Sequence, residues 1–420
     1  MPGGRGAVRP MYDNDYRFQS EEGEVPEMKQ ALPARVALVA GLHADARRRA
    51  VDRLLEAEPG ALAVHHDLGR IGDGEVYRVL RDRWGTVERT RVDLVHSCVS
   101  CTLRQDLVPL LCGLAERGEH SLYVVEAWDT VAPRSVAEAL TATVVDDRPI
   151  AEWVRLAGVA TAVAADRLVA DLATTDDVDD RGLAVAEEDD RTVAEVLAQQ
   201  IEYPTCLVLD GGAGGGADPE RCTAVLLQLN PAALVVPPER EALAAMADGG
   251  FDPEAAAARM DPATAQPPDS CEAGEVRTVT WRRSRPLHPD RLHRALDDVV
   301  AAALRSRGRF WLASHPDTML AWDAAGASLS VEPCGPWLAA LPDAAWELVS
   351  ERRRAAAALD WCAEHGDRCQ CLTFTGVGLD AGRLTRVLDA CLLTDEELAE
   401  GYRRDEDSDD PFDEIIAAAL

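Results

Sequence analysis

Lysine is almost absent from this chain. Of its 43 basic residues 42 are arginine, and the single lysine, Lys29, lies in a polar N-terminal segment. Chemistry that needs a lysine amine in a folded site is therefore excluded, unless Lys29 folds back into that site. Arginine can replace lysine as a partner for anions, but its guanidinium is larger and differently shaped.

Long apolar runs and a basic surface are missing as well. No run of about 18 apolar residues occurs, and the N-terminus lacks the apolar segment of a secretory signal, so we expect a cytoplasmic protein with no membrane contact. Acidic residues outnumber basic ones by 74 to 43, for a net charge of −31. Because phosphate backbones bind basic surfaces, this charge disfavours binding to nucleic acid.

Short apolar runs alternate with helical segments in the first half of the chain. Strands are predicted at residues 36–40, 62–65, 92–95, 121–126, 159–164 and 205–210, and helices at 46–58, 105–117 and 192–201. This alternation is typical of an α/β fold with a mostly parallel sheet and helices on both faces. In such sheets ligands bind at the carboxyl ends of the strands.

A second pattern of strands and helices follows a segment rich in Ala, Pro, Asp and Gly. Strands are predicted at residues 276–281, 310–313, 319–323, 329–332 and 370–375, and helices at 289–306 and 381–391. We therefore expect a smaller C-terminal α+β domain. The expected boundaries are a disordered tail at 1–32, an α/β domain at 33–240, a linker at 241–275, the α+β domain at 276–402 and an acidic tail at 403–420.

A Cys-x-x-Cys motif, Cys98 and Cys101, follows the strand predicted at 92–95. Eleven cysteines in a cytoplasmic chain are more typical of buried thiols or metal ligands than of disulfides, and their odd number argues against a complete disulfide framework. His96 lies two residues before Cys98, so one short turn offers an imidazole and two thiolates, which are ligands that zinc prefers. A redox dithiol and two inert buried thiols are the alternatives.

A second group of candidate ligands is formed by Cys362, His365, Cys369 and Cys371. On a strand, Cys369 and Cys371 would share one face, and such a spacing can bind metal. We interpret the group as buried thiols beside a loop histidine, because isolated cysteines are commonly buried in protein cores. Two zinc ions per chain would contradict that interpretation.

The first predicted strand runs into Gly41, at a place where parallel sheets often bind phosphate. A P-loop needs glycines for close backbone approach, a lysine on the phosphates and a hydroxyl for Mg²⁺. Gly41 is present, but Ala44 and Ala46 occupy the positions of the later glycines. Arg47 stands at the lysine position and Arg48 at the hydroxyl position. Without its context, this segment does not identify a nucleotide site.

Several separated segments, taken in order, resemble one known family. They are residues 98–107, 191–203, 286–291, 307–313 and 389–397. The first is similar to the Cys-x-Cys-Cys-Thr-Leu-Arg metal motif of the CobW family of P-loop GTPases, the second to the helix before its guanine-recognition strand, and the others to its C-terminal domain. This family includes cobalamin-associated proteins and zinc metallochaperones. The resemblance covers roughly residues 34–412 and implies a P-loop-GTPase-like sheet followed by a CobW C-terminal domain.

The chain departs from the family's pattern at its nucleotide motifs. The guanine-recognition motif begins at Asp210, and Ala213 stands where its base-binding aspartate belongs. On the strand that senses the terminal phosphate Glu126 matches, but Trp128 and Asp129 replace small residues. The residues that keep a family-like position in the GTP and Mg²⁺ site are Gly41, Arg47, Glu126 and Asp210. We therefore predict a GTPase-like scaffold with weak or absent GTP hydrolysis.

The resemblance also bears on the metal site. The family motif has a third cysteine where this chain has Ser100, so His96 would supply the missing ligand beside Cys98 and Cys101. Three ligands and an open position suit transfer of Zn²⁺ or a similar ion rather than its storage. We therefore predict a CobW-like metal-handling protein, such as a zinc metallochaperone, whose partner is a metal-requiring client. The alternatives are an active GTPase with an atypical P-loop and a non-catalytic scaffold or regulatory protein.

Overall fold

The computed structural model describes residues 32–96, 98–186, 189–211, 216–402 and 410–417. From Pro33 onward these residues belong to one unit. The predictions for Lys29, for the tail at 1–31, for Ala213 and for residues 403–409 and 418–420 lie outside the described residues. Within the described ranges, no helix combines the length and the apolar character needed to span a membrane.

A large mixed sheet forms the first part of the chain. Its strands, and those of a small hairpin, are β1 (Ala34–Ala40), β2 (Ala61–Arg70), β3 (Glu75–Asp82), β4 (Gly85–Val92), β5 (Leu122–Glu126), β6 (Val144–Val145), β7 (Arg148–Pro149), β8 (Val154–Ala164), β9 (Cys206–Asp210) and β10 (Leu234–Val236). The sheet has eight strands in the order β10-β9-β8-β1-β5-β2-β3-β4, and β6 pairs with β7. Neighbours from β10 to β2 are parallel, while β3 and β4 are antiparallel. The predicted mostly parallel α/β sheet is confirmed.

Helices cover both faces of this sheet. They are α1 (Ala44–Ala57), α2 (Val99–Cys101), α3 (Val108–Arg117), α4 (Pro133–Ala142), α5 (Leu168–Leu172), α6 (Val193–Glu202), α7 (Pro219–Leu229), α8 (Arg240–Gly249) and α9 (Pro253–Met260). Side chains of a strand point alternately to opposite faces. Ala37 and Val39 of β1 accordingly pack with α1 and α8. Val36 and Leu38 pack with α3 and α4 on the other face.

An antiparallel sheet forms the second part of the chain. Its strands are β11 (Cys271–Ala273), β12 (Val276–Arg283), β13 (Arg305–Phe310), β14 (Thr318–Ala325), β15 (Ser328–Pro336) and β16 (Gln370–Val377), and the helices are α10 (Pro289–Val300), α11 (Glu351–Asp360), α12 (Ala381–Cys391), α13 (Asp395–Glu400) and α14 (Asp413–Ala417). The strand order is β11-β12-β16-β13-β14-β15. Phe310, Trp322 and Phe374 are fully buried in its core. The predicted smaller α+β domain is confirmed.

Strands β3 and β4 have no counterpart in the sequence prediction, and the strand predicted at residues 92–95 is wrong because β4 ends at Val92. β4 is exposed along most of its length. Its charged residues pair across the hairpin, as Arg78 does with Glu88 at 3.1 Å. Charged edge strands resist pairing with other chains. A search for apolar runs therefore passes over them.

The helix predicted at residues 289–306 is too long, and the strand predicted at 310–313 is displaced. α10 ends at Val300, and β13 begins at Arg305. β13 buries Arg305, Ser306 and Arg309. Their polar groups are satisfied by ion pairs and hydrogen bonds rather than by apolar packing. A strand buried through polar side chains shows no apolar alternation, which explains both errors.

Residues 241–275, expected to be a linker with some helix, contain most of α8 and all of α9. Leu243 and Ala247 of α8 are buried in the cluster that includes α1. Ala256 of α9 is buried in the cluster that includes α4. These helices therefore extend the core of the first sheet.

A buried ion pair joins the two sheets. Glu202, the last residue of α6, accepts hydrogen bonds from Nε and Nη2 of Arg305 at 2.8 and 3.0 Å. Arg307 Nη1 lies 3.1 Å from the same carboxylate. A neutral contact lies nearby, where Thr278 Oγ1 donates to Gln228 Oε1 at 2.7 Å. These contacts connect β12 and β13 of the second sheet to α6 and α7 beside the first.

Candidate nucleotide and metal sites

The turn between β1 and α1 consists of residues 41–43. Gly41 has a φ of 147°, and a Cβ at this position would collide with the carbonyl oxygen of Ala162, so glycine is required. α1 begins at Ala44, and the N–H of Arg47 already donates to the carbonyl oxygen of His43 at 3.0 Å. In a P-loop, the N–H groups of a longer loop surround the phosphates. Here the residues from Ala44 onward form α1, so their backbone is not available to form such a loop.

The side chain of Arg47 is buried beside this turn. Nη1 donates to the carbonyl oxygen of Gly41 at 2.6 Å and to the carboxylate of Asp129. Nε lies 3.6 Å from a carboxylate oxygen of Glu126. The exposed fraction of Arg47 is 2%, so water contributes little to its solvation. The carboxylates of Glu126 and Asp129 therefore neutralise the guanidinium charge of Arg47, which would otherwise be available to bind a phosphate.

Glu126 connects Arg47 to a second arginine. Its carboxylate accepts a hydrogen bond from Arg81 Nη2 at 2.9 Å, and Arg81 Nη1 donates to Asp52 at 2.5 Å. Burial alone would raise the pKa of Glu126, but neighbouring His65, Arg47 and Arg81 outweigh burial and hold the pKa below its usual range. Arg47 and Glu126, two of the predicted nucleotide residues, thus belong to one buried network of ion pairs.

Asp210 lies at the end of β9 and pairs with Arg49 of α1. Arg49 also pairs with Asp45, one helical turn earlier, at 3.4 Å. Arg167 donates to Asp45 at 2.6 Å. Burial opposes ionisation of Asp45, but its contacts with Arg167 outweigh burial and lower its pKa to about 2. The fourth predicted nucleotide residue is therefore tied to the same helix through a separate set of charges.

His43 of this turn pairs with Asp171 of α5, and the sequence pattern singles out neither residue. His43 Nε2 lies 2.7 Å from Asp171 Oδ2, and both side chains are buried. Arg181 donates to the other oxygen of Asp171 at 2.8 Å. Burial opposes ionisation of Asp171, but His43 and Arg181 outweigh burial and lower its pKa. Since 128 positions separate His43 from Asp171, no local spacing reveals the pair.

The Cys-x-x-Cys motif lies where the chain enters α2. Cys98 is the N-cap residue, and its Sγ accepts the backbone N–H of Cys101 at 3.4 Å. α2 continues through a π-helical turn, Thr102–Leu107, into α3. His96 Nδ1 lies 3.9 Å from Cys101 Sγ. The structure thus places His96 beside Cys101, and Cys98 one helical turn away.

The ligand atoms of His96, Cys98 and Cys101 are near one another but do not converge. In the part of the chain that the structure describes, they do not form a group whose three ligand atoms all lie within 4.8 Å. The pKa of the Cys101 thiol is raised, chiefly by its hydrogen bond with Cys98. His96 is exposed, and both cysteines are partly exposed. Two thiols and an imidazole suit zinc in their chemistry, and a bound ion would have to draw them together.

The histidines of β2 have partners of their own. His66 is buried, and its Nε2 lies 2.7 Å from Asp106 Oδ2. His65 Nδ1 lies 3.0 Å from the carbonyl oxygen of Glu126, and its ring stacks on Trp128. Burial lowers the pKa of His65. Asp106 belongs to the π-helical turn, so His66 ties the segment after the cysteine motif to the sheet.

Comparison with known proteins decides the family. The model "CobW/HypB/UreG, nucleotide-binding domain" matches residues 74–237, and "Cobalamin synthesis protein cobW C-terminal domain" matches residues 276–392. The chain is 33% identical over 323 residues to a Mycobacterium tuberculosis protein named zinc chaperone Rv0106, covering 74% of this chain and 77% of that relative. The chain belongs to the CobW family.

Two further proteins are similar to this chain. The chain is 24% identical over 326 residues to zinc-regulated GTPase metalloprotein activator 1 of Dictyostelium discoideum, covering 74% of this chain and 67% of that relative. The crystal structure of the Zn(II)-bound YjiA GTPase from E. coli has a TM-score of 0.34 and 14% identity, covering 86% of this chain and 99% of that one. The CobW nucleotide-binding model begins at residue 74, so Gly41 and Arg47 lie outside the matched range.

The second cysteine group lies inside the CobW C-terminal domain. Cys369 and Cys371 are buried in a small hydrophobic cluster. Burial raises the pKa of Cys369 to about 12, which keeps it a thiol at neutral pH. Cys362 is partly exposed, and its Sγ accepts the backbone N–H of His365 at 3.3 Å. These contacts agree with the interpretation of buried thiols beside a loop histidine.

Proposed function

We propose that this CobW-family protein carries a divalent metal ion, with zinc as the expected ion, at His96, Cys98 and Cys101. The observation that carries the proposal is the 3.9 Å approach of His96 Nδ1 to Cys101 Sγ on the turn that Cys98 caps. The relatives named as a zinc chaperone and as a zinc-regulated metalloprotein activator support it.

The partial exposure of these three residues favours transfer over permanent storage. Zinc binds the thiolate form of cysteine, so loading the site releases protons. Three protein ligands leave a fourth position, which water occupies until a ligand of a client protein replaces it. We therefore expect the client to be a metal-requiring protein that takes the ion directly from this turn.

Zinc loading tests this site. The Cys98→Ser/Cys101→Ser variant is expected to lose one tightly bound zinc ion per chain, because neutral serine is a poor zinc ligand. The measurement is competition with a chromophoric chelator, followed by metal analysis of the protein. A Cys271→Ser/Cys334→Ser variant is the matched control, since it removes two other accessible thiols. Equal zinc content in the parent and both variants would exclude the cysteine motif as the metal site.

We also propose that GTP hydrolysis on this scaffold is weak or absent. Arg47 already donates to Asp129 and lies 3.6 Å from Glu126, so a phosphate would have to compete with both carboxylates. α1 begins at Ala44, so the turn at residues 41–43 is too short to surround a phosphate with backbone N–H groups. The side chain at the Mg²⁺ hydroxyl position is Arg48, which has no oxygen to offer to the ion.

Phosphate release from GTP and Mg²⁺ tests this second part. The purified protein is expected to release phosphate no faster than a control without protein. Arg47→Lys keeps a positive charge at the site and serves as the comparison variant. Sustained turnover by the parent above that control would contradict the proposal, and its loss in Arg47→Met would favour an active GTPase with an atypical P-loop.

A further inference from the structure

His315, Asp410 and Asp413 bring an imidazole and two carboxylates together in the C-terminal domain. In the described ranges, they form the group whose three ligand atoms all lie within 4.8 Å of one another. His315 lies between β13 and β14, and Asp413 is the first residue of α14. The group is remote in sequence from the cysteine motif, and its members come from two distant segments.

The three side chains lie about as far apart as the ligands of one metal ion. His315 Nδ1 lies 3.7 Å from Asp410 Oδ2, which is too long for a hydrogen bond, and 3.0 Å from Ser314 Oγ. His315 Nε2 lies 3.2 Å from Asp413 Oδ1. Ligand atoms at about 2.0–2.2 Å from a tetrahedral zinc ion lie roughly 3.3–3.6 Å apart. One ring nitrogen of His315 would bind the ion. The carboxylate that faces the other ring nitrogen would have to move toward the ion to bind it as well.

Asp410 supplies an independent reason for a cation at this place. Its side chain is 2% exposed, and its Oδ2 has no hydrogen-bond partner among the residues that the structure describes. The other oxygen, Oδ1, accepts the backbone N–H of Phe412 at 2.9 Å. A buried carboxylate oxygen without a donor destabilises a fold. A cation between Asp410 and His315 would offset that cost.

The packing of the C-terminal segment fixes the two carboxylates. Phe412 and Ile416 are buried in the core of the second sheet, with exposed fractions of 1% and 4%. The ring of His293 contacts Phe412 edge-on. Asp410 and Asp413 are therefore held near His315 by apolar contacts that do not depend on a bound ion.

We propose that His315, Asp410 and Asp413 bind a divalent first-row transition metal ion, for which imidazole and carboxylate are suitable ligands. The ion fixes the C-terminal segment to the loop between β13 and β14. This site is separate from the cysteine motif, and it goes beyond the metal-carrying function proposed for that motif. The burial of Asp410 and the anchoring of its segment by Phe412 and Ile416 favour a structural ion over one that is handed on.

Zinc titration of the full-length Cys98→Ser/Cys101→Ser protein, stripped of metal, tests this site alone. One zinc ion per chain is expected to bind in competition with a chromophoric chelator. Loss of a residue that only hydrogen-bonds to a metal ligand weakens metal affinity by about 10- to 100-fold. His315→Gln removes a ligand itself, so we expect it to lower zinc affinity by about 100-fold or more. His293→Gln is the matched control, because its ring lies against the same segment but outside the group.

Thermal unfolding with and without zinc supplies a second measurement. With each variant made in the Cys98→Ser/Cys101→Ser protein, which serves as the parent, zinc is expected to raise the melting temperature of the parent and of His293→Gln but not that of His315→Gln or Asp410→Asn. Without metal, Asp410→Asn is expected to melt no lower than the parent, since it removes an unpartnered buried charge. The proposal is overturned if the metal-stripped Cys98→Ser/Cys101→Ser protein binds no zinc, or if this protein and its three variants bind zinc equally. Either result leaves the zinc loading of the cysteine motif to be judged by its own variants.

Discussion

Glu202→Ala is expected to lower the free energy of unfolding by about 3–5 kcal/mol, the effect typical of breaking a buried ion pair on one side. The substitution leaves Arg305 and Arg307 facing each other without the carboxylate that both contact. Arg305 keeps Asp323 as a partner, but it loses the bidentate contact across the domain junction. Urea denaturation at neutral pH measures the effect.

The pH dependence of the same pair has a definite sign. Burial alone would raise the pKa of Glu202, but Arg305 and Arg307 outweigh burial and hold the pKa below its usual range. A carboxyl group with a lowered folded-state pKa stabilises the fold above its unfolded pKa of about 4.3, and this stabilisation is lost as the pH falls through the folded pKa. The stability gap between the parent and Glu202→Gln is therefore full at neutral pH and narrows below about pH 4.

Ser328→Ala is the control at the same junction. Ser328 Oγ donates to Glu195 at 2.7 Å, a single contact at the edge of the interface. Its loss is expected to cost about 1 kcal/mol. If Glu202→Ala cost no more than Ser328→Ala, the buried ion pair would not be what holds β13 against the first domain.

The sequence predicts the parts of this fold that are buried by apolar contact. β1, β8 and β9 are short apolar runs, and their spacing by helices indicates a parallel sheet. β13 escapes the prediction because Arg305, Ser306 and Arg309 are buried by pairing rather than by hydrophobicity. Apolar periodicity therefore identifies the strands that are buried by hydrophobic packing, but not a strand such as β13, which is buried by ion pairs and hydrogen bonds.

The candidate sites divide in the same way. Cys98, Cys101 and His96 are close in sequence, and their spacing alone predicts that they share a turn. Arg47 and Asp129 are 82 positions apart, so their contact depends on the order of the strands and not on any motif. The sequence shows that Arg47 stands at the lysine position of the family. Only the structure shows that Asp129 and Glu126 contact its guanidinium.

Arg47→Met is expected to lower the free energy of unfolding by about 3–5 kcal/mol, because it leaves two buried carboxylates without their common cation. Glu126 keeps Arg81, whereas Asp129 loses its bond to the guanidinium. Arg48→Met is the matched control: Arg48 is the exposed neighbour on the same helix, and its loss is expected to change stability by about 0.5 kcal/mol or less.

A double variant separates a structural role of Arg47 from a phosphate-binding role. If Arg47 serves to balance Asp129, Arg47→Met/Asp129→Asn is expected to recover part of the stability that Arg47→Met loses, since the unpaired charge is removed with its partner. Titration with a fluorescent GTP analogue is then expected to show the same weak or absent binding in the parent and in the double variant. If Arg47 instead serves to bind phosphate, Arg47→Met is expected to leave the free energy of unfolding nearly unchanged and to abolish nucleotide binding. The buried contacts of Arg47 with Gly41, Glu126 and Asp129 favour the first outcome, in which the arginine stabilises the fold.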